Sequence, residues 1–530
     1  MEQTYKEENR QKSLDVLVIG GGIVGTAVAR ELSRYTLTIG LVEAGSDLAR
    51  KTTGANSGII HAGYDAPAGS LMAKLNVQGN QMYPKLCRDL DIPFVQNGSL
   101  VLAFTQEDRK ELQTLFSRGL QNGVEGLTIL GGDEVRKREP HISQEVVEAL
   151  YAPTAGVISP YEAAIAFAEN AADNGAEFYL GHPVTSIKKT QTGFQVTAGD
   201  LELTCKVLIN CAGFASDEIS RMAGGESLAA QARKGEYILY DKAYGDFVNH
   251  VIFQPPSKMG KGILVTRTAE GNLLVGPSSE TVYDPEDTAT TQQGLDLVWN
   301  TARKSCPTLP AGGAITTFTG VRSVYGDDFY IRHSELAPGL IQTAGICSPG
   351  LTAAPAIAKM IAALTGDLLA LEEKAEFQET REGIPVFSAM SWEEREALIR
   401  QDPAYARMVC RCETVTEGQI RRALHSPIPV WTVDGVKRRV RAGMGRCQGS
   451  FCTPRVMEII EEETGIPFCE ITKNGKGSEL IVGKLKDTNG GASQEWLRGA
   501  GARRGRPCGT GGGLCVLRCR RPGCLHFGER

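Results

Sequence analysis

The sequence predicts a mixed fold with α/β and α+β parts: a discontinuous Rossmann-like domain, a predominantly antiparallel-sheet domain set into it, and a small third domain behind them. Three observations predict it. A β-branched apolar run meets G-x-G-x-x-G near the N-terminus, short alternating strands recur between residues 231 and 324, and two close pairs of cysteines lie beyond residue 409. At 530 residues the chain has the length for two or three domains and a large core.

Residues 14–45, LDVLVIGGGIVGTAVARELSRYTLTIGLVEAG, organise the first domain. Val16, Leu17, Val18 and Ile19 form the continuous run expected of a strand buried on both faces of a parallel sheet. Gly20 then permits a tight turn, Gly22 lets backbone approach a pyrophosphate, and Gly25 lets helix and strand pack closely. Ile23, Val24, Ala27, Val28 and Leu32 keep helical spacing, and the helix N-terminus supplies unpaired N–H groups for an anion. A second strand, residues 37–42, ends at Glu43, 18 residues beyond Gly25, where an acid accepts hydrogen bonds from an unphosphorylated ribose. Strand, turn, helix, strand and acid in register read as a dinucleotide site of the FAD or NAD kind.

The loop that follows, ARKTTGANSGIIHAGYDAPAGSLMAKL, is rich in small and hydroxyl residues. Its place at the end of the second strand brings Thr52, Thr53, Asn56 and Ser57 toward a phosphate or a flavin ring. Alternation over residues 98–104 and helical spacing over 108–120 begin a second domain, after which the chain returns to the first. There the sequence predicts an alanine-rich helix over 161–174, a strand over 177–180, a hairpin region over 183–197, and a buried strand, KVLIN, that runs into Cys211, Ala212 and Gly213. Short alternating runs, EYILY, HVIFQ, GILVTRT, GNLLVGP and TTFTGVRSVY, then predict an antiparallel sheet over the cofactor. A final strand, GLIQTAG, precedes CSPGLTAAPAIAKMIAAL, a loop and helix.

Composition narrows the class. Apolar residues make up 42%, charged residues 22%, and the formal charge is −5, as in a soluble globular protein. No basic patch interleaves with aromatics before the last segment, so nucleic acid is not an expected partner. The polar N-terminal residues lack the apolar core of a secretory signal, and the most apolar stretch, residues 340–364, is broken by Pro349, Pro355 and Lys359, so no transmembrane segment is expected. Fourteen cysteines without a secretory signal point to a reducing compartment, where clustered cysteines hold metal more often than they form disulfides.

Residues 371–408 read as a linker, and the third domain follows. Cys410 and Cys412 form C-x-C, Cys447 and Cys452 form C-x-x-x-x-C, and 34 residues separate the pairs. Four thiolates in two close pairs suit zinc or a [2Fe–2S] cluster, and structural zinc usually prefers C-x-x-C knuckles. The stretch GRCQGSFC resembles the bacterioferritin-associated-ferredoxin-like (BFD-like) [2Fe–2S] domain, a small helical domain.

With GGGIVGTAVARELSR, NSGIIHAGYDAPAGSLMAK, GNLLVGP, GVRS and GICSPGLTAAPAIA in hand, residues 14–486 resemble the glycine/D-amino-acid-oxidase-like (DAO) flavoproteins followed by such a domain. The resemblance falls in the branch of FAD-dependent glycerol-3-phosphate dehydrogenases and L-2-hydroxyglutarate oxidases. It implies an FAD-binding domain over 14–90, 146–225 and 335–370, and a substrate domain over 91–145 and 226–334. The [2Fe–2S] domain would span 409–486, with 1–13 a polar lead-in and 487–530 a disordered Gly/Arg-rich tail. Carried over residue by residue, Gly20, Gly22, Gly25 and Glu43 hold the ADP half, and Thr52, Thr53, Asn56, Ser57 and Gly58 line the flavin side. Gly345, Gly350, Leu351 and Thr352 sit at the ring and ribityl chain, and Val184 fits the adenine-side strand. Ala212 and Gly213 add a second stretch along the dinucleotide.

Flavin oxidation of a secondary alcohol needs a base for the hydroxyl proton, and an anionic substrate needs fixed cations. His61 is the candidate base, and Arg322 matches the family's arginine at the substrate's anionic end. Lys234, Lys261 and Arg267 are further cations, each also open to reading as a solvated surface charge. The expected reaction is oxidation of glycerol 3-phosphate to dihydroxyacetone phosphate, by hydride transfer to flavin N5 and electron exit through the cluster. The alternatives are an L-2-hydroxyglutarate dehydrogenase or oxidase, an electron-transfer subunit, and amine oxidation on the same scaffold. The expected partner is a second redox subunit. The expected location is the cytoplasm, at the inner face of the membrane where a partner brings it there.

Overall fold

The computed structural model describes residues 11–255 and 262–483. Lys261 and the tail over 487–530, with its Cys508, Cys515, Cys519 and Cys524, lie outside the described residues.

The first domain is built on an eight-stranded sheet whose centre is parallel. Strand Gln11–Ile19 lies between Leu201–Asn210 and Ile39–Glu43, and Glu177–Leu180 extends the parallel set beyond Glu43. Both faces of Gln11–Ile19 are covered, as its unbroken apolar run demands: Val16 and Val18 pack into one core, Leu17 and Ile19 into another. Residues 11–13, expected in the polar lead-in, belong to strand Gln11–Ile19. Strand Leu201–Asn210 serves two neighbours in turn. Its first half pairs antiparallel with Phe194–Ala198, and its second half pairs parallel with Leu340–Ala344. Helices Ile23–Leu32, Pro160–Asp173 and Gly350–Gly366 share the larger core, with small residues such as Ala27, Ala163 and Ala353 allowing close packing.

The second domain carries a nine-stranded sheet, with Gln231–Tyr240 paired antiparallel to Ala314–Val324 along nearly its whole length. Two edges differ from the expected domain limits. Strand Glu148–Ala152 pairs with Ser99–Ala103 and Thr128–Gly131, so the return to the first domain follows it rather than starting at 146. Strand Tyr330–His333 pairs with Leu340–Ala344, so the last return begins before 335. Both segments alternate well enough for either sheet; the partner strand decides.

Residues 371–408 form a strap across the first domain. Thr36 N donates to Glu372 O at 2.8 Å and Lys374 N to Arg34 O at 2.8 Å, while Arg381 pairs with Glu169 at 2.6 Å. Helix Trp392–Gln401, opened by a Ser391/Glu394 capping box, leads to the third domain. Helices Glu417–Leu424, Val433–Val440 and Thr453–Thr464 there bury Ile420, Val436, Val456 and Ile460 in their own core.

Polar contacts seat this domain on both others. Arg438 and Arg439 pair with the fully buried Asp47, just beyond Glu43. Arg441, left-handed at φ 64°, pairs with Glu413 at 2.9 Å within its own domain. The same guanidinium donates to Tyr161 Oη at 3.0 Å and Asn272 Oδ1 at 3.2 Å, so one side chain ties three domains together.

Candidate active site and cysteine centre

The glycine turn behaves as its three positions require. Gly20 has φ 111°, and a Cβ there would lie 2.4 Å from Cys211 O; one on Gly25 would lie 1.9 Å from Gly20 O. At Gly22 the only near atom is Thr53 Oγ1 at 3.3 Å, so that backbone alone of the three is open to a ligand. Thr53 Oγ1 accepts from Ile23 N at 3.0 Å, placing a hydroxyl oxygen over the first N–H groups of helix Ile23–Leu32. Glu43 accepts from Gly21 N at 2.8 Å and Gly45 N at 2.6 Å, which holds the carboxylate at the mouth of the turn. Beside it Arg50 has a buried Nε without a hydrogen-bond partner. Turn, acid and the unpartnered guanidinium nitrogen fit the ADP half of a dinucleotide. Ala212 and Gly213 border the same turn, since Cys211 N donates to Ile19 O at 2.9 Å. Val184 is half-buried and packs with the core that contains Val42, at the outer hairpin.

The loop over 52–58 is fastened to the second domain. Thr52 Oγ1 donates to Val321 O at 2.7 Å, and Asn56 Nδ2 to Thr52 O and Thr53 O at 3.0 and 2.9 Å. Asn56 Oδ1 accepts from Gly58 N at 2.8 Å. Gly58 needs its φ of 66°, and a Cβ would strike Ile158 O at 2.4 Å. Thr52 and Asn56 therefore shape the loop, while Ser57 lies beside Tyr237. Burial pushes the Tyr237 hydroxyl up to about 12, against the opposing pull of nearby Arg322 and of Ser57.

His61 is clamped by its own backbone. Its N donates to Thr352 Oγ1 at 2.9 Å, and its O accepts from Asn80 Nδ2 at 3.1 Å and Asn76 Nδ2 at 3.4 Å. Its ring lies 3.3 Å, at Nε2, from Ser348 Oγ and stacks on Phe253 with centroids 5.8 Å apart. It borders a small cavity with Tyr64, Asp65, Asn76 and Pro349. Gly350, Leu351 and Thr352 form the first turn of helix Gly350–Gly366, so that helix's N-terminus faces the same place. Gly345, with φ 67°, turns the chain out of strand Leu340–Ala344 against Tyr325. Asn76 and Asn80, four apart on helix Leu71–Asp89, were findable as two amides on one face; Ser348 and Phe253 carried no local signal.

The cations divide. Arg322 is half-buried, and its guanidinium has no ion pair or hydrogen bond among the described residues. Lys234 is buried rather than solvated and lies on the other face of its strand, 3.0 Å from Asp287 and 3.9 Å from Glu236. Strand alternation put it there, on the face away from Arg322. Arg267 pairs with the exposed Asp246 at 3.5 Å.

In the third domain Cys412 Sγ lies 3.6 Å from Cys447 Sγ, and Cys410 bonds Cys452. That Cys452 hydrogen bond lowers the Cys410 thiol to about 6 and raises Cys452 in turn. Among the described residues no three or more His, Cys, Asp or Glu side chains converge on one metal-ion position. Four cysteine thiols in two neighbouring pairs are a donor set that fits a [2Fe–2S] cluster.

Comparison with known proteins agrees. The FAD dependent oxidoreductase family (DAO) matches residues 15–364, and the BFD-like [2Fe-2S] binding domain matches residues 408–462. The chain is 45% identical over 474 residues to a glycerol 3-phosphate dehydrogenase of Caloramator mitchellensis, covering 89% of this chain and 99% of that protein. It is 32% identical over 292 residues to the mitochondrial L-2-hydroxyglutarate dehydrogenase of Homo sapiens, covering 52% of this chain and 62% of that one. Among solved structures, dithionite-reduced L-alpha-glycerophosphate oxidase from Mycoplasma pneumoniae with FAD bound superposes with TM-score 0.67 at 30% identity, covering 71% of this chain and 99% of that chain.

Proposed function

The chain belongs to the DAO family of FAD-dependent oxidoreductases and carries a BFD-like [2Fe–2S] domain, and from that premise we propose that it oxidises glycerol 3-phosphate to dihydroxyacetone phosphate. The observation that carries this reading is the end-to-end similarity, cysteine domain included, to a glycerol 3-phosphate dehydrogenase.

Bound FAD supplies a two-electron acceptor for the hydride of the carbinol carbon. Gly20, Gly22, Gly25 and Glu43 would hold its ADP half, and the 52–58 loop with Gly345 and the Gly350–Thr352 turn its flavin half. His61 takes the hydroxyl proton, its ring supported by Ser348 and Phe253 so that the proton leaves as the hydride does. Arg322 holds the anionic end, its guanidinium being uncommitted to any carboxylate among the described residues. The four cysteines would hold a [2Fe–2S] cluster, a one-electron carrier suited to pass electrons on to a second redox protein.

Cytoplasmic residence is part of the proposal: the ten described cysteines are all free thiols, and among the described residues no helix is long and apolar enough to cross a membrane. The second reading, a 2-hydroxy acid as substrate, draws on the L-2-hydroxyglutarate dehydrogenase likeness. Anaerobic titration of the FAD- and iron-loaded protein with each compound decides. Bleaching of the flavin band by glycerol 3-phosphate alone is expected, and bleaching only by L-2-hydroxyglutarate would replace it with the second reading.

A further inference from the structure

We propose that Arg233 and Arg322 together form a cradle for one doubly charged oxyanion, the phosphate end of the substrate. The proposal rests on the phosphate-ester reading and adds to it a second arginine.

The two residues stand directly opposite in the antiparallel ladder between Gln231–Tyr240 and Ala314–Val324. Directly opposed residues share a face of the sheet, with Cβ atoms about 4.5–5.5 Å apart. The same alternation identifies that face. Tyr237 and Phe318, also opposed, stack at 4.7 Å, and Tyr237 lies beside Ser57. Gly235 and Gly320 lie opposed between the two pairs, and a Cβ on Gly320 would lie 1.9 Å from Ala55 O. Arg233 and Arg322 therefore share the face that packs on the 52–58 loop. The reverse face holds Lys234 and Glu236, and it is covered by helix Gln292–Ser305, whose Gly294 abuts the Glu236 carboxylate.

Two like charges directly opposite each other in a ladder are destabilising. Here neither guanidinium has an ion pair or hydrogen bond to a carboxylate among the described residues, although both are half-buried. Lys234, one residue along, has two acids. A positive pair left uncompensated on the cofactor side is stabilised by an anion that carries two charges on one group. A phosphate dianion does so, and two planar forks can each take a pair of its oxygens. A lone carboxylate compensates only one of the two.

The test uses the FAD-loaded full chain with Arg233→Met and Arg233→Lys, and phosphorus NMR line broadening of inorganic phosphate as a binding readout independent of turnover. Wild type is expected to bind phosphate and Arg233→Met to lose it, with Arg233→Lys between them. Half-saturation for flavin reduction by glycerol 3-phosphate should rise about 10- to 100-fold in Arg233→Met, with the limiting rate within a few-fold, as for loss of one charged hydrogen-bonding partner. Unchanged phosphate binding in Arg233→Met overturns the cradle and leaves the proposed reaction standing. Reduction of wild type by L-2-hydroxyglutarate alone, with phosphate binding still dependent on Arg233, removes the reaction and keeps the cradle. Should Arg233→Met not fold, the phosphate affinity of Arg233→Lys decides: a value equal to wild type overturns the proposal, and a weakened one supports it.

Discussion

Arg439 meets the Asp47 carboxylate with both Nη groups through three bonds of 3.2 Å, and Arg438 Nε adds a fourth at 2.8 Å. Asp47 follows Glu43, the acid at the mouth of the glycine turn, so this contact joins the cysteine domain to the edge of that turn. Asp47 is fully buried, and removing it leaves buried guanidinium charge uncompensated. Asp47→Ala is therefore expected to cost ~3–5 kcal/mol. Urea unfolding followed by tryptophan fluorescence checks it, and a loss within error of zero would refute the clamp.

The same pair sets an acid limb. Burial by itself would raise the Asp47 carboxyl, but Arg439 and Arg438 hold it below its ordinary value of 3.8. A carboxylate depressed in the folded state stabilises fully above its unfolded value, and loses that contribution as pH falls toward the folded one. The stability gap between wild type and Asp47→Asn should be flat from about pH 5 to 8 and shrink below about pH 4. A gap that widens on acidification would contradict the assignment.

His61→Ala is expected to slow anaerobic flavin reduction by about 10²- to 10⁴-fold, the usual weight of a general base, with FAD content unchanged. The fold is spared because the clamp from Thr352, Asn76 and Asn80 grips backbone, not ring. Equal rates in variant and wild type would remove His61 from the chemistry.

The glycines should separate. Gly25→Ala drives a methyl into Gly20 O at 1.9 Å and should yield protein that is unfolded or free of FAD. Gly22→Ala meets only Thr53 Oγ1 at 3.3 Å, so it should fold with weakened FAD affinity. Thermal melts with and without added FAD distinguish the two, and equal behaviour would count against the assigned roles.

Cys412→Ser and Cys452→Ser each remove one thiolate from a different pair. Both should lose iron while keeping the flavin spectrum, because the cysteine domain has its own core. Zinc rather than iron in the wild-type protein would refute the cluster.

Much of the site was legible because its signals are local. The glycine turn and its acid are defined by steric and hydrogen-bonding needs within one strand–turn–helix–strand unit, and the cysteine pairs by short spacings. His61 and Arg322 are proposed from motifs. The supports of His61 were not legible: Ser348, Thr352, Asn80 and Phe253 arrive from four separate segments, and no periodicity announces that they meet. Lys234, expected among the substrate's cations, lies instead on the reverse face beside Asp287 and Glu236, because composition does not reveal which side of a strand is covered.

The sequence by itself determined the order of the parts: a dinucleotide domain in several passes, an antiparallel sheet within it, and a cysteine domain behind. Burial period, turn chemistry and ligand spacing act over a few residues and need no distant partner. Tertiary structure alone decided which sheet received Glu148–Ala152, that residues 371–408 lie down as a strap, and which of Arg233 and Lys234 looks toward the flavin loop. A strand's side chains alternate with period two, so a one-residue change in register exchanges its faces, and only the partner strand and the covering helix determine which face is which.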